Sequence, residues 1–124
     1  MPKPRNILIV DDNSLTLLTL ARILEQHGYK VLATGSSSSA QELVRAQTVD
    51  LVITDYNLPD GGTELGPALK RLRPSLPVIV LSGDPAAAEA AGFADLLLAK
   101  PQEPEVLLAA IGRLLPGSHE EHAA

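Results

Sequence analysis

The chain has no cysteine and no tryptophan, and aromatic residues make up 2% of its 124 positions. Without cysteine there is neither a disulfide framework nor a thiolate metal centre. With so few rings, the interior has to be built from Leu, Ile, Val and Ala. Positive charge is also short: 10 Lys and Arg against 15 Asp and Glu leave a net charge of −5. That argues against direct nucleic-acid binding, which leaves a basic patch. No apolar stretch approaches the roughly 20 residues of a membrane span. Met1-Pro2-Lys3-Pro4-Arg5 leads straight into a short strand rather than a secretory leader. A soluble, cytoplasmic protein is expected, with neither nucleic acid nor membrane as partner. What is present is a 45% hydrophobic composition, which favours a folded globule over disorder. The length suits one domain, able to bury about two-thirds of its unfolded surface.

Four short apolar runs organise the sequence: Ile7–Val10, Leu51–Thr54, Val78–Leu81 and Leu96–Ala99. Unbroken runs of this kind suit strands covered on both faces, as in parallel sheets. Tyr29–Ala33 reads as one more strand. Between them lie helical patterns. One is capped at Asn13-Ser14, carries Leu15, Leu18, Ala21, Ile23 and Leu24, and stops at Gly28. Another runs through Ala40, Leu43, Val44 and Ala46 after a serine-rich turn, Ser36–Ser39, that offers several caps. Asn57–Gly66 reads as loop, and Pro67 as the first turn of a helix that ends at Pro74. Pro85–Ala91 reads as a short Ala-rich helix closed by Gly92. A last helix runs from Pro104 to Leu115, and Ser118–Ala124 as a frayed tail. Strand and helix alternate five times, which predicts an α/β fold with a parallel sheet, helices on both faces and right-handed crossovers.

The polar residues that follow the strands carry the chemistry. Asp11 and Asp12 follow the first, Asp55 the third, Ser82 the fourth and Lys100 the fifth. A parallel sheet gathers them along its carboxyl edge, where open α/β sheets bind ligands. Asp12 or Asn13 could serve only to cap the next helix, but capping does not account for a lysine on the same edge. Three crowded carboxylates repel one another, and a hard divalent cation relieves that repulsion. Magnesium takes one or two carboxylates together with waters and phosphate oxygens. The pattern therefore points to phosphate chemistry with a metal.

Asp11-Asp12, Asp55-Tyr56-Asn57-Leu58-Pro59, Ser82-Gly83 and Lys100-Pro101 occur in this order after the expected strands. Together they make the chain resemble the receiver domain of bacterial two-component response regulators, from about Asn6 to Leu115. The resemblance implies a flavodoxin-like, doubly wound five-stranded sheet of order 2-1-3-4-5, (βα)5, with residues 1–117 as the receiver domain and 118–124 as a flexible tail. It implies that Asp55 is the phosphoacceptor. Asp12, Asp55 and the backbone carbonyl of Asn57 would bind Mg2+ (or Mn2+), and Asp11 would act through a metal-bound water. Lys100 would pair with Asp55 and then with the phosphoryl group, Ser82 would bond a phosphoryl oxygen, and the Lys100-Pro101 bond would be cis. The donor would be a sensor histidine kinase or a histidine phosphotransfer protein, and the output a downstream protein or a homodimer. Such a domain is not an enzyme beyond catalysing its own phosphorylation and dephosphorylation. With no output module after Leu115, it either stands alone or is a receiver segment of a larger regulator or hybrid kinase. The chemistry is consistent: a carboxylate is already ionised at neutral pH and needs no general base to attack. Its acyl-phosphate product hydrolyses, so the mark is transient.

Three departures from the family pattern stand out. Leu97 occupies the position where receivers carry a Tyr or Phe switch, and strand packing explains it. The stretch from Ser82 to Lys100 is several residues short, so the fourth helix should lose about a turn and dimerisation through that face comes into doubt. Asp60–Pro67 looks about two residues longer than the common pattern, which delays the third helix to Gly66-Pro67. Two other functions fit less well. A phosphohydrolase of the haloacid dehalogenase type needs an acid/base Asp two residues after the nucleophile, where this chain has Asn57 or Asn13. A flavodoxin-type flavin carrier needs a phosphate cradle after the first strand, where Asp11-Asp12 would repel the phosphate. His27 reads as a helix-end residue, and His119 and His122 as tail residues without a metal role.

Overall fold

The structure, a computed structural model, describes residues 4–84, 86, 92–100 and 102–115. These residues form β1 (Asn6–Val10), α1 (Ser14–Gln26), β2 (Lys30–Thr34), α2 (Ser37–Ala46), β3 (Leu51–Asp55), α3 (Gly62–Leu72), β4 (Val78–Ser82), β5 (Leu96–Ala99) and α4 (Pro104–Leu114). The Ala-rich helix expected over 85–91, the Lys100-Pro101 bond geometry, the tail, His119 and His122 lie outside the described residues.

The strands make one five-stranded sheet of order β2-β1-β3-β4-β5, every pair parallel, as expected. Strand residues alternate between two cores. Ile7, Ile9, Ile53, Ile79 and Leu81 face one side and pack with Leu24 of α1 and Leu107, Leu108 and Ile111 of α4. Leu8, Val10, Val52, Val78 and Val80 face the other and pack with Ala40 and Val44 of α2 and Leu65 and Leu69 of α3. Both faces are thus apolar, which is why the strands read as unbroken runs rather than as alternating patterns. Tyr29 precedes β2 instead of opening it, and its ring is buried in the first core.

One expectation is corrected. α3 does not start late at Gly66-Pro67; it starts at Gly62, directly after Gly61 turns the chain at φ +102°. Leu65 and Leu69 are both fully buried, and residues four apart share a face only in a helix already wound at the first of them. Pro67 consequently lies inside the helix and forfeits a backbone bond. Burying two leucines stabilises by about 1.5–3 kcal/mol each. That matches or exceeds the roughly 3 kcal/mol that an interior proline costs.

Candidate functional site

The parallel register fixes where the polar residues fall. Val10 pairs with Thr54, Asp55 with Leu81 and Ser82 with Ala99. Asp11 and Asp12, which follow Val10, and Lys100, which follows Ala99, therefore emerge on the same edge as Asp55 and Ser82. Carboxylate oxygens of Asp11, Asp12 and Asp55 lie within 4.8 Å of one another. Asp11 and Asp55 are buried, while Asp12 is exposed at the rim.

Lys100 closes the cluster. Its Nζ donates to Asp11 Oδ2 at 2.9 Å and forms an ion pair with Asp55 Oδ2 at 3.1 Å. Burial by itself would lower the ammonium pKa. The bonds to Asp11 and Asp55 outweigh it and hold Lys100 above its ordinary 10.5. The second oxygens are held by backbone: Asn13 N–H donates to Asp11 Oδ1 at 2.9 Å, and Asn57 N–H donates to Asp55 Oδ1 at 3.2 Å. Both are the short-range turns in which an aspartate bonds the amide two residues on. Ser82 is fully buried, its Oγ accepting from Asp84 N–H at 3.0 Å. The Lys100 N–H donates to the Ser82 carbonyl at 2.8 Å, which ties the two strand ends together.

The structure thus brings together the side chains of Asp11, Asp12, Asp55 and Lys100, sets Ser82 on the same edge, and sets Asn57 beside Asp55. The pairing of Lys100 with Asp11 as well as Asp55 did not follow from the motif. Leu97 packs half-buried in the second core with Tyr56 and Phe93, a packing role. His27 caps α1, its Nδ1 2.9 Å from the Ile23 carbonyl. A cavity of about 480 Å³ opens beside the cluster, lined by Leu15, Thr16, Leu20, Leu81, Lys100 and Gln102. Leu15 and Leu18 on α1 are 72% and 56% exposed. Among the described residues, no helix is long and apolar enough to cross a membrane.

The donor set suits a small, hard divalent cation: three converging carboxylates, all oxygen and no sulfur. The carboxylates carry three negative charges against the single positive charge of Lys100, so the cluster has an unneutralised excess for a cation to balance.

Sequence reading also missed Asp60. It lies in the loop after β3, and its carboxylate reaches the start of α2. Both oxygens lie 3.0 Å from the Ser37 amide, and one lies 3.5 Å from that of Ser38. The Ser37 bond chiefly holds the Asp60 pKa below its ordinary value. The serine run was legible as a set of caps, but nothing local indicated that an aspartate 23 positions from Ser37 would complete them.

Comparison with known proteins agrees with the geometry. The sequence matches the family model of the response regulator receiver domain over residues 7–112. It is similar to the DNA-binding transcriptional regulator NtrC of Bradyrhizobium sp. (strain RP501 Parasponia), 40% identical over 62% of this chain and 16% of that protein. It is also similar to the TorCAD operon transcriptional regulatory protein TorR of Escherichia coli (strain K12), 37% identical over 64% of this chain and 35% of that protein. The chain therefore spans only a minor part of these curated relatives. Among solved structures, a CheY-like response regulator receiver domain protein from Methanospirillum hungatei JF-1 superposes with a TM-score of 0.86. It is 29% identical, with 96% of this chain and 99% of that chain covered.

Proposed function

The chain belongs to the response regulator receiver domain family, and on that premise we propose that it is switched by phosphorylation of Asp55. The observation that carries this reading is the junction of Lys100 with Asp11 and Asp55 at 2.9 and 3.1 Å, beside Asp12. The donor is a phosphohistidine of a sensor kinase or phosphotransfer protein, and the cavity lined by Leu15, Leu20 and Lys100 gives such a protein room beside the acceptor.

An Asp55 carboxylate oxygen attacks phosphorus. The new O–P bond forms as the P–N bond breaks, and the electron pair stays on the imidazole nitrogen. Asn57 N–H orients the carboxylate by holding its other oxygen. The product is a mixed anhydride. Lys100, already a cation between the two carboxylates, follows the new charge onto a phosphoryl oxygen. The Ser82 hydroxyl has its proton free to donate to another while its oxygen accepts from Asp84 N–H. Asp12, Asp55 and the Asn57 carbonyl would hold Mg2+, with Asp11 acting through water; the bound ion supplies positive charge that offsets the charge on the transferring oxygens. Transfer adds about −1.5 to −2 charges and three strong acceptors. Ser82 sits at the head of the β4–β5 connection, so a bond to the phosphoryl group pulls on that segment. Output then passes to a protein partner, either separate or in the remainder of a larger regulator.

The test is labelling by acetyl phosphate or a phosphorylated kinase with magnesium present. Wild type should label and Asp55→Asn should not. Persistent labelling of the folded variant would move the acceptor elsewhere, and steady turnover of an aryl phosphate would point to a phosphatase.

A further inference from the structure

The residues assigned to the metal come from two separate loops, the β1–α1 loop with Asp12 and the β3–α3 loop with Asn57. Both loops are fastened to a third segment that carries no reacting group, the β2–α2 turn. On one side, Asp11 N–H donates to the Thr34 carbonyl at 3.1 Å. Gly35 packs against the same loop: a Cβ built on it would stand in ordinary van der Waals contact, 3.4 Å from the Asp11 carbonyl oxygen and 3.6 Å from Asp12 Cα. On the other side, Asp60 takes the Ser37 amide with both carboxylate oxygens. The turn is itself hydrogen-bonded: Ser36 N–H donates to Thr34 Oγ1 at 3.3 Å, and Ser36 Oγ accepts from Ser39 N–H at 3.1 Å.

We propose that the β2–α2 turn is a bracket that sets the distance between the two metal-binding loops, and that Asp60 is the positioning residue that locks the acceptor loop to it. The reach from Asp60 back to Asn57 is short and stiff. Pro59 has a fixed φ, Leu58 is anchored in the second core, and Gly61 N–H closes a turn onto the Leu58 carbonyl at 3.3 Å. A shift at Asp60 therefore travels to the Asn57 backbone, whose N–H holds Asp55 and whose carbonyl is a proposed metal ligand. Asp60 and Ser36 both satisfy amides of the first turn of α2. Ser36 also hydrogen-bonds the Asp60 carboxylate, whereas Glu42, paired with Arg45 on the exposed side of α2, lies outside the bracket, and this difference makes the role testable.

This inference rests on the metal reading of the site, so the wild type is titrated first with magnesium alone by calorimetry. Absence of binding there would overturn that reading and this inference with it. Given binding, Asp60→Ala should weaken magnesium affinity by about tenfold, the low end for residues that orient metal ligands from behind. It should also speed hydrogen exchange of the Asn57 amide in the metal-free protein. Asp60→Asn should restore both, because asparagine accepts at a helix N-terminus as well as aspartate does. Glu42→Gly, which weakens the same helix away from the turn, should lower stability but leave magnesium affinity and Asn57 exchange unchanged. The bracket is refuted if folded Asp60→Ala binds magnesium like wild type, or if Glu42→Gly weakens binding as much as Asp60→Ala does.

Discussion

Replacing Lys100 with methionine should destabilise the metal-free domain by about 3 kcal/mol. The figure comes from two opposed effects. At 2.9 and 3.1 Å from its two carboxylate partners, the ammonium gains about 5–6 kcal/mol from each at an effective dielectric of 20. Desolvation takes back several kcal/mol per buried ion. Asp11 and Asp55 side chains are 3% and 11% exposed, so both are buried whether or not the lysine is present, whereas Lys100 is 29% exposed and partly screened. Methionine keeps most of the stem's packing, removes the cation and leaves two buried carboxylates facing each other. Breaking a buried pair in this way costs about 3–5 kcal/mol, and solvent access at Lys100 puts the case at the low end.

In a domain of this size, that loss lowers Tm by roughly 10 °C. The measurement is thermal unfolding by far-ultraviolet circular dichroism with a chelator present. Magnesium should then raise Tm more in Lys100→Met than in wild type, since it has more uncompensated charge to neutralise. Arg45→Met is the control. It breaks a 2.8 Å pair with Glu42 whose side chains are 51% and 73% exposed, and should cost no more than about 1 kcal/mol, as surface pairs do. If Lys100→Met melts with wild type, the junction contributes no more than a surface pair, and the charge strain inferred for the cluster is absent.

Three further outcomes are expected. Asp12→Ala should raise metal-free stability by on the order of 1 kcal/mol, because it removes an exposed member of a carboxylate trio packed within 4.8 Å. It should also blunt the magnesium-dependent rise in Tm, and a full wild-type rise would exclude Asp12 as a ligand. Asp60 has a depressed pKa in the folded state, chiefly through the Ser37 amide. Its contribution is therefore present above the unfolded carboxylate pKa and is lost as pH falls through the folded value. The stability gap between wild type and Asp60→Asn should shift against wild type as pH falls below the ordinary 3.8, and a pH-independent gap would count against the helix-cap assignment. Gly66→Ala drives a Cβ into the ring of Phe93. It should destabilise by about 1 kcal/mol, the cost of overpacking less the gain in helix propensity. In a Phe93→Ala background the same change should become stabilising, and an unchanged sign would mean the ring does not fill that notch.

How much of this was legible in the sequence depends on the range over which each residue acts. The strands and the helices α1, α2 and α4 follow from local patterns, because apolar residues on both faces of a parallel sheet leave a continuous run. The site was legible because topology does the gathering. Once the strands are parallel, residues that follow them share an edge, and Asp11, Asp12, Asp55, Ser82 and Lys100 needed no long-range information beyond that. The start of α3 was misread because Gly61, Gly62, Gly66 and Pro67 argue locally for a loop. The decision lies with Leu65 and Leu69, whose burial against β3 and β4 no window of the sequence contains.

Asp60 was invisible for the same reason in reverse. In sequence it is one polar residue of a Pro-Asp-Gly turn; in space it is the cap of a helix that precedes it in the chain. The two cases share a cause. A motif reports residues that meet the reacting group, whereas the residues that hold those residues in place are chosen by the packing of neighbouring elements. In this domain the reacting groups sit on loops, and a loop is only as well placed as its attachments. Substitutions at Asp60 and Thr34 should therefore perturb the site more than their distance from Asp55 in the sequence suggests. Substitutions at the equally polar Glu42 and Arg45, paired with each other on the exposed side of α2, should leave it untouched.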